Sequence, residues 1–104
     1  MAKIVNTANF RGTVEESNNV VVVDFFATWC GPCKMLAPVF DSLSVELTDV
    51  DFVKVDIDQS LELAQKFGIT TVPTMMIFKD GKVVDTLVGF MPKDNLKAKV
   101  QAHL

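Results

Sequence analysis

Cysteine and histidine are scarce in this sequence, whose 104 residues include two cysteines and one histidine. Two cysteines cannot form the dense disulfide framework of a small secreted domain. They and the histidine are also too few for a structural zinc site, which uses four such ligands. Positive charge is limited as well, with 10 Lys and Arg against 13 Asp and Glu. Because nucleic-acid binding requires a basic surface, no nucleic-acid partner is expected.

Long hydrophobic segments are absent too. The longest apolar-rich run, residues 20–27, contains Asp24 and is far shorter than the roughly 20 residues that span a bilayer. The first five residues hold no apolar stretch of the length found in secretory signals. We therefore expect no membrane partner and a cytoplasmic location, where cysteines stay reduced unless they have a redox function.

The residues that are present suit one folded domain. Hydrophobic residues make up 49% of the chain and the net charge is −3, which together exclude an intrinsically disordered chain. No repeat, low-complexity tract or linker rich in Pro, Gly and Ser interrupts the sequence. We therefore predict a single domain over residues 1–104, with one hydrophobic core.

Hydrophobic periodicity predicts an α/β fold in the order β-α-β-α-β-α-β-β-α. This order is typical of a central mixed sheet of about five strands flanked by about four helices. Asp80-Gly81 is a strong hairpin signal, and Pro38 is expected to kink its helix without ending it. The predicted strands cover residues 3–5, 20–27, 52–57, 74–79 and 82–88. The predicted helices cover residues 6–17, 30–47 and 60–67, and the stretch from Pro92 onwards.

The most reactive side chains lie together in residues 29–34, Trp-Cys-Gly-Pro-Cys-Lys. This segment joins a predicted inner strand to a helix N-terminus, at the sheet edge where α/β sites collect. Cys30 and Cys33 are one helical turn apart, so their sulfur atoms can reach disulfide distance. The helix N-terminus and Lys34 favour a thiolate. The pattern predicts a redox dithiol, in which Cys30 attacks and Cys33, one turn further inside and shielded, resolves the mixed disulfide.

Three other interpretations of the cysteine pair remain open at this level. A purely structural bridge across four residues would contribute only about 2 kcal/mol. A metal site would need ligands from a second chain, because the other soft ligand, His103, lies at the far end of the last helix. The thiols could also be incidental to a binding module that uses an apolar surface around Trp29.

Asp24 places a carboxyl group among the Val and Phe residues of a predicted inner strand. Burial raises the pKa of a carboxyl group, and a proton carrier for the inner cysteine is the function we predict. A surface edge position is the alternative. Lys54, on the neighbouring predicted strand, is either a partner of Asp24 or an exposed strand lysine. His103 is expected to be solvated or to complement the helix dipole, without a catalytic role.

Several short motifs together resemble the thioredoxin family over essentially the whole chain. Their order and spacing agree with that family, which makes the likeness more specific than the cysteine pair alone. The motifs are Val23-Asp24-Phe25, Ala27-Thr28-Trp29-Cys30-Gly31-Pro32-Cys33-Lys34, Lys54-Val55-Asp56, Gly68-Ile69, Val72-Pro73-Thr74, Lys79-Asp80-Gly81 and Gly89.

The resemblance implies the thioredoxin fold and a general protein-disulfide reductase that works by reversible dithiol–disulfide exchange. Cys30 would be the nucleophile, Cys33 the resolving thiol and Asp24 the buried acid–base group, with Lys54 nearby. The Gly-Pro dipeptide between the cysteines favours a reductant over an oxidase or isomerase of the same fold. A thioredoxin reductase, usually a flavoenzyme that draws on NADPH, would recharge the protein. The chain itself would bind no cofactor and act as a monomer on disulfide-containing proteins and reductive enzymes.

The resemblance also implies a surface for extended substrates. The peptide bond before Pro73 would be cis, and the Val72 backbone would pair with the substrate. Two residues depart from the family pattern: Phe26 stands where many members have a second Trp, and Phe90 stands where a small residue is common. These changes would alter packing near the site and enlarge its apolar surface. The residues implied to line that surface are Trp29, Gly31, Pro32, Val72, Pro73 and Gly89.

Overall fold

The computed structural model describes residues 2–104. Strands and helices follow one another in the predicted order, with boundaries that differ by a few residues. The elements are β1 (Lys3–Ile4), α1 (Thr7–Phe10), a π-helical segment (Arg11–Glu15), β2 (Val20–Phe26), α2 (Gly31–Glu46), β3 (Val50–Asp56), α3 (Leu61–Lys66), β4 (Thr74–Lys79), β5 (Lys82–Val88) and α4 (Lys93–Gln101).

The five strands form one mixed sheet in the order β1-β3-β2-β4-β5. β3 is parallel to both β1 and β2, whereas β4 is antiparallel to β2 and to β5. The hairpin between β4 and β5 turns at Asp80 and Gly81, whose φ angles are 52° and 78°. Positive φ at both positions is what a two-residue turn of type I′ requires. The predicted mixed sheet and its hairpin are confirmed.

The central strand β2 is covered on both faces, because successive side chains point to opposite sides of a sheet. Val21, Val23 and Phe25 belong to the hydrophobic cluster formed with residues of α1 and α3. Val20 and Val22 belong to the cluster formed with residues of α2 and α4. By the same alternation, Asp24 and Phe26 lie on the α2 side. The sheet therefore carries the Asp24 carboxyl into an apolar layer behind the start of α2.

The helices follow the predictions with two corrections. α1 begins after its N-cap Asn6, but the chain continues beyond Phe10 as a π-helical segment instead of an α-helix that reaches Ser17. Pro92 is the N-cap of α4 and not its first helical residue. Pro38 lies inside α2, which continues to Glu46. Within residues 2–104, no helix has both the length and the hydrophobicity needed to cross a bilayer.

Candidate active site

Cys30 and Cys33 form a disulfide bond at the N-terminus of α2. Their Cα atoms lie 5.2 Å apart, a separation that suits a disulfide. Cys30 is the N-cap residue, and the Cys33 backbone N–H donates a hydrogen bond to Cys30 Sγ over 3.1 Å. In the reduced protein, this N–H and the positive end of the helix dipole would stabilise negative charge on the Cys30 sulfur.

The two cysteines are equally buried, each with 4% of its surface exposed. Exposure alone therefore does not single out Cys33 as the shielded thiol. The surroundings of the two cysteines differ. Cys30 Sγ lies 3.6 Å from the carbonyl oxygen of Val72, while Cys33 lines a pocket of about 200 Å³ on the side of Phe26 and Lys54. Cys30 faces the loop before β4, and Cys33 faces the sheet.

The loop before β4 contains a cis peptide bond between Val72 and Pro73. The Gly89 N–H donates to the Pro73 carbonyl oxygen over 2.8 Å, which ties the end of β5 to this loop. Pro73 is buried, whereas Val72 and Gly89 are half-buried. Within residues 2–104, neither the N–H nor the C=O of Val72 has a backbone hydrogen-bond partner. An extended chain placed beside Cys30 could therefore pair with Val72.

Trp29 lies at the surface, with 68% of its area exposed, which confirms the position predicted for it. Its indole Nε1–H donates to Asp58 Oδ2 over 2.9 Å. Gly31 and Pro32, in the first turn of α2, are also exposed. Sequence reasoning missed this contact with Asp58. The position of Asp58 was a usable signal, because the parallel strands β2 and β3 end at the same edge of the sheet and Asp58 is the second residue after β3.

Asp24 has no exposed surface, as its apolar neighbours predicted. Within residues 2–104, neither of its carboxyl oxygens has a hydrogen-bond partner. Desolvation raises the pKa of Asp24 from 3.8 to about 7, and the positive charge of Lys54 lowers it in part. Lys54, which is half-buried, lies directly opposite on β3, and its charge acts on Asp24 without a direct hydrogen bond. The site thus holds a carboxyl group that changes its protonation state near neutral pH.

His103 lies outside this constellation, and its side chain is half-buried against β5 instead of fully solvated. Its Nε2 atom is 3.0 Å from Asp85 Oδ2, and both residues are half-buried. The hydrogen bond from His103 is the largest cause that lowers the pKa of Asp85. The pair joins the residues after α4 to β5. In the part of the chain described here, no group of three or more His, Cys, Asp or Glu side chains could hold a metal ion.

Comparison with known proteins agrees with this geometry. The Thioredoxin family model matches residues 1–102. Thioredoxin of Bacillus subtilis is 46% identical over 102 residues, covering 97% of this chain and 98% of the relative. Thioredoxin 1 of Synechococcus elongatus is 47% identical over 105 residues, covering 100% and 98% of the two chains. With a cysteine pair at disulfide distance in the expected place, this agreement shows that the chain belongs to the thioredoxin family of protein-disulfide oxidoreductases.

Proposed function

We propose that the protein reduces disulfide bonds of other proteins, with Cys30 as the attacking thiol and Cys33 as the resolving thiol. The observation that carries this assignment is the Cys33 N–H donated to Cys30 Sγ at the N-cap of α2. It marks the Cys30 sulfur as the one at which the helix terminus stabilises a thiolate. Within residues 2–104, the neighbouring Val72 backbone has no backbone hydrogen-bond partner, so it can pair with the segment that carries the target disulfide.

The exchange takes two steps at sulfur. The Cys30 thiolate attacks one sulfur of the target disulfide, whose S–S bond breaks; the other target sulfur leaves as a thiolate and a mixed disulfide forms. The Cys33 thiolate then attacks the Cys30 sulfur, which releases the second target thiolate and closes the Cys30–Cys33 disulfide. Two electrons pass to the target, and its two thiolates take up protons from the surroundings.

We assign the proton transfer that frees the Cys33 thiolate to Asp24. A carboxyl group with a pKa of about 7 is present in both protonation states near neutral pH, which is the condition for efficient acid–base catalysis. Asp24 lies on the sheet face that Cys33 also faces, and Lys54 lines the pocket beside Cys33. The charge of Lys54 partly offsets the rise in the pKa of Asp24, which keeps this pKa close to neutral pH.

The surface that binds the target surrounds the disulfide. We propose that the target segment extends along Val72 and Gly89 and contacts Trp29 and the first turn of α2. Trp29, Gly31 and Pro32 are exposed at this place. Pro73 is buried in the loop that presents Val72. It therefore shapes this surface without contacting the target segment itself.

Phe90 extends this surface on the side of β5. It follows Gly89, which is hydrogen-bonded to the loop beside Cys30, and 40% of its area is exposed. We expect Phe90→Ala to raise the KM for protein disulfides roughly 5- to 10-fold, because truncation of an exposed aromatic contact removes binding area. Steady-state reduction of insulin measures this change. Val83→Ala is a matched control, since Val83 is equally exposed, at 41%, but lies near the hairpin turn.

Reduction of a small disulfide such as oxidised glutathione separates binding from chemistry in the same variants. Phe90→Ala should reduce it at the parental rate, because a small disulfide does not reach Phe90. An equal loss with both kinds of disulfide, or an unchanged KM for insulin, would remove Phe90 from the binding surface.

We also propose the partners and the setting of this reaction. A thioredoxin reductase would return the Cys30–Cys33 disulfide to the dithiol with electrons from NADPH, and the flavin would belong to that reductase. The chain would need no bound cofactor and would work as a monomeric single domain in the cytoplasm. The family model that spans residues 1–102 and the bacterial thioredoxins among its relatives support this proposal.

Trapping of the mixed disulfide tests the assignment of the two thiols. Cys33→Ser should accumulate a covalent complex with insulin, because the second step is lost, and peptide mapping should place the bond at Cys30. Cys30→Ser is the matched control and should trap nothing. A complex bonded through Cys33 in the Cys30→Ser variant, with none in Cys33→Ser, would reverse the two roles.

A further inference from the structure

Lys54 makes a contact that has no role in the exchange steps described above. Its ammonium nitrogen lies 4.6 Å from the centroid of the Phe26 ring, which is within the range of a cation–π interaction. No carboxylate of residues 2–104 lies within 4.0 Å of that nitrogen. Among the described residues, the Phe26 ring is therefore the close electrostatic partner of the Lys54 ammonium.

The strand register explains why this contact bears on Asp24. Asp24 lies opposite Lys54, and Phe26 lies opposite Asp56, on the neighbouring strands β2 and β3. Because side chains two residues apart share a face, Asp24, Phe26 and Lys54 all lie on the α2 side of the sheet. The Lys54 side chain extends from its place opposite Asp24 towards the ring of Phe26.

Few other charges face the carboxyl group. On β4 the residue opposite Asp24 is Met75, which is uncharged. On β3, Asp56 lies on the same face, and its Oδ1 accepts two backbone N–H groups of the loop that follows, at 2.9 and 3.2 Å. From α2, Cys33 and Lys34 line the pocket with Lys54. The positive charge of Lys54 lowers the pKa of Asp24.

We infer that Phe26 is a positioning residue for the exchange reaction: its ring holds the Lys54 ammonium at a fixed place on the wall of the pocket. Without the ring, the ammonium group has no close partner among residues 2–104 at that place and moves out into water. The positive charge that faces Asp24 then becomes weaker, and the carboxyl group holds its proton to higher pH. Any consequence for the reaction rate rests on the acid–base function proposed for Asp24.

The first test is a titration of the Asp24 carboxyl carbon by NMR in the oxidised protein, in which neither cysteine titrates. Phe26→Leu should raise the pKa of Asp24 by about half a unit. Phe26→Tyr retains an aromatic ring and should keep the parental value. Phe26→Met, which is flexible and of similar size, gives a second variant without the ring should leucine disturb the end of β2.

A smaller side chain also admits water to the pocket, so the test needs Lys54→Met as a second background. There Phe26→Leu can act on Asp24 only through hydration, and the difference between the two backgrounds is the effect carried by Lys54. A rise that is present in the parental background and absent in the Lys54→Met background supports the inference. Equal shifts in both backgrounds, or no shift in either, would overturn it.

The rate of disulfide reduction across the same pH range separates this inference from the proposed function. If Asp24 is the acid–base group, the inflection of the rate moves with the NMR titration in Phe26→Leu. If the pH dependence of the rate is unchanged while the pKa measured by NMR shifts, Phe26 still positions Lys54. That outcome would remove Asp24 from the reaction.

Discussion

Replacing Cys30 with serine is expected to abolish disulfide reduction. The rate of insulin reduction with dithiothreitol as electron source should fall on the order of 1000-fold or more, to the rate of dithiothreitol alone. Serine nearly preserves the size of the side chain and the N-cap of α2, since its hydroxyl can also accept the N–H of residue 33. The loss would therefore be a loss of the nucleophile and not of the fold.

The control for this prediction is the far-UV circular dichroism and urea unfolding of the Cys30→Ser variant, compared with the reduced parent. We expect the two to agree closely, because the helix cap is retained. A variant that is folded and still reduces insulin at a large fraction of the parental rate would contradict the assignment of Cys30.

The second large effect concerns Asp24→Asn. Its amide cannot ionise, so the variant should lose the inflection near pH 7 in the rate of disulfide reduction. At neutral pH it should be slower, roughly 10- to 100-fold, because proton transfer at Cys33 is no longer assisted. Rates with insulin from pH 5.5 to 9 measure both changes. A variant whose pH profile matches that of the parent would contradict the proposed acid–base role.

The same substitution should change how stability depends on pH. The pKa of Asp24 is about 7 in the folded protein, compared with its ordinary 3.8. Above pH 4 the unfolded state gives up this proton first, so ionisation favours unfolding by an amount that grows until pH 7 and then stays constant. The full penalty is on the order of 4 kcal/mol. The free energy of unfolding of the oxidised parent should fall by about 3 kcal/mol between pH 5 and 8.5 from this group.

Urea unfolding at the two pH values measures this dependence, and Asp24→Asn should remove it. Asp49→Asn is a suitable control, because Asp49 is exposed, and it should keep the parental dependence on pH. All titrating groups other than Asp24 and the exposed Asp49 are common to the two variants, so the comparison isolates Asp24. Equal slopes in the two variants would show that the Asp24 carboxyl is not strongly desolvated.

Sequence patterns predicted most of the fold because local and tertiary preferences agree along this chain. The valine run of β2 is apolar on both faces, and the structure buries it on both faces. Asp80-Gly81 supplies the positive φ angles of the hairpin turn. The π-helical segment was not predicted, since its residues have the same apolar spacing as a short α-helix and differ only in hydrogen-bond register.

The candidate site was predictable where a residue conflicts with its neighbours in sequence. Asp24 stands out among valines and phenylalanines, and its burial followed from them. The contacts between distant segments did not follow in this way. Trp29 with Asp58, His103 with Asp85, and the ring of Phe26 beneath Lys54 depend on how separate elements pack, and side-chain pattern within one element carries no signal for them.

The most direct test of the central claim is a coupled assay with a bacterial thioredoxin reductase, NADPH and insulin. The oxidation of NADPH, followed by its absorbance, reports electrons that enter the Cys30–Cys33 disulfide, and the precipitation of insulin chains reports electrons that leave it. We predict that NADPH is consumed one for one with the insulin disulfides reduced, and only when the protein is present. NADPH consumption and insulin reduction no faster than without the protein would contradict a protein-disulfide reductase supplied by thioredoxin reductase.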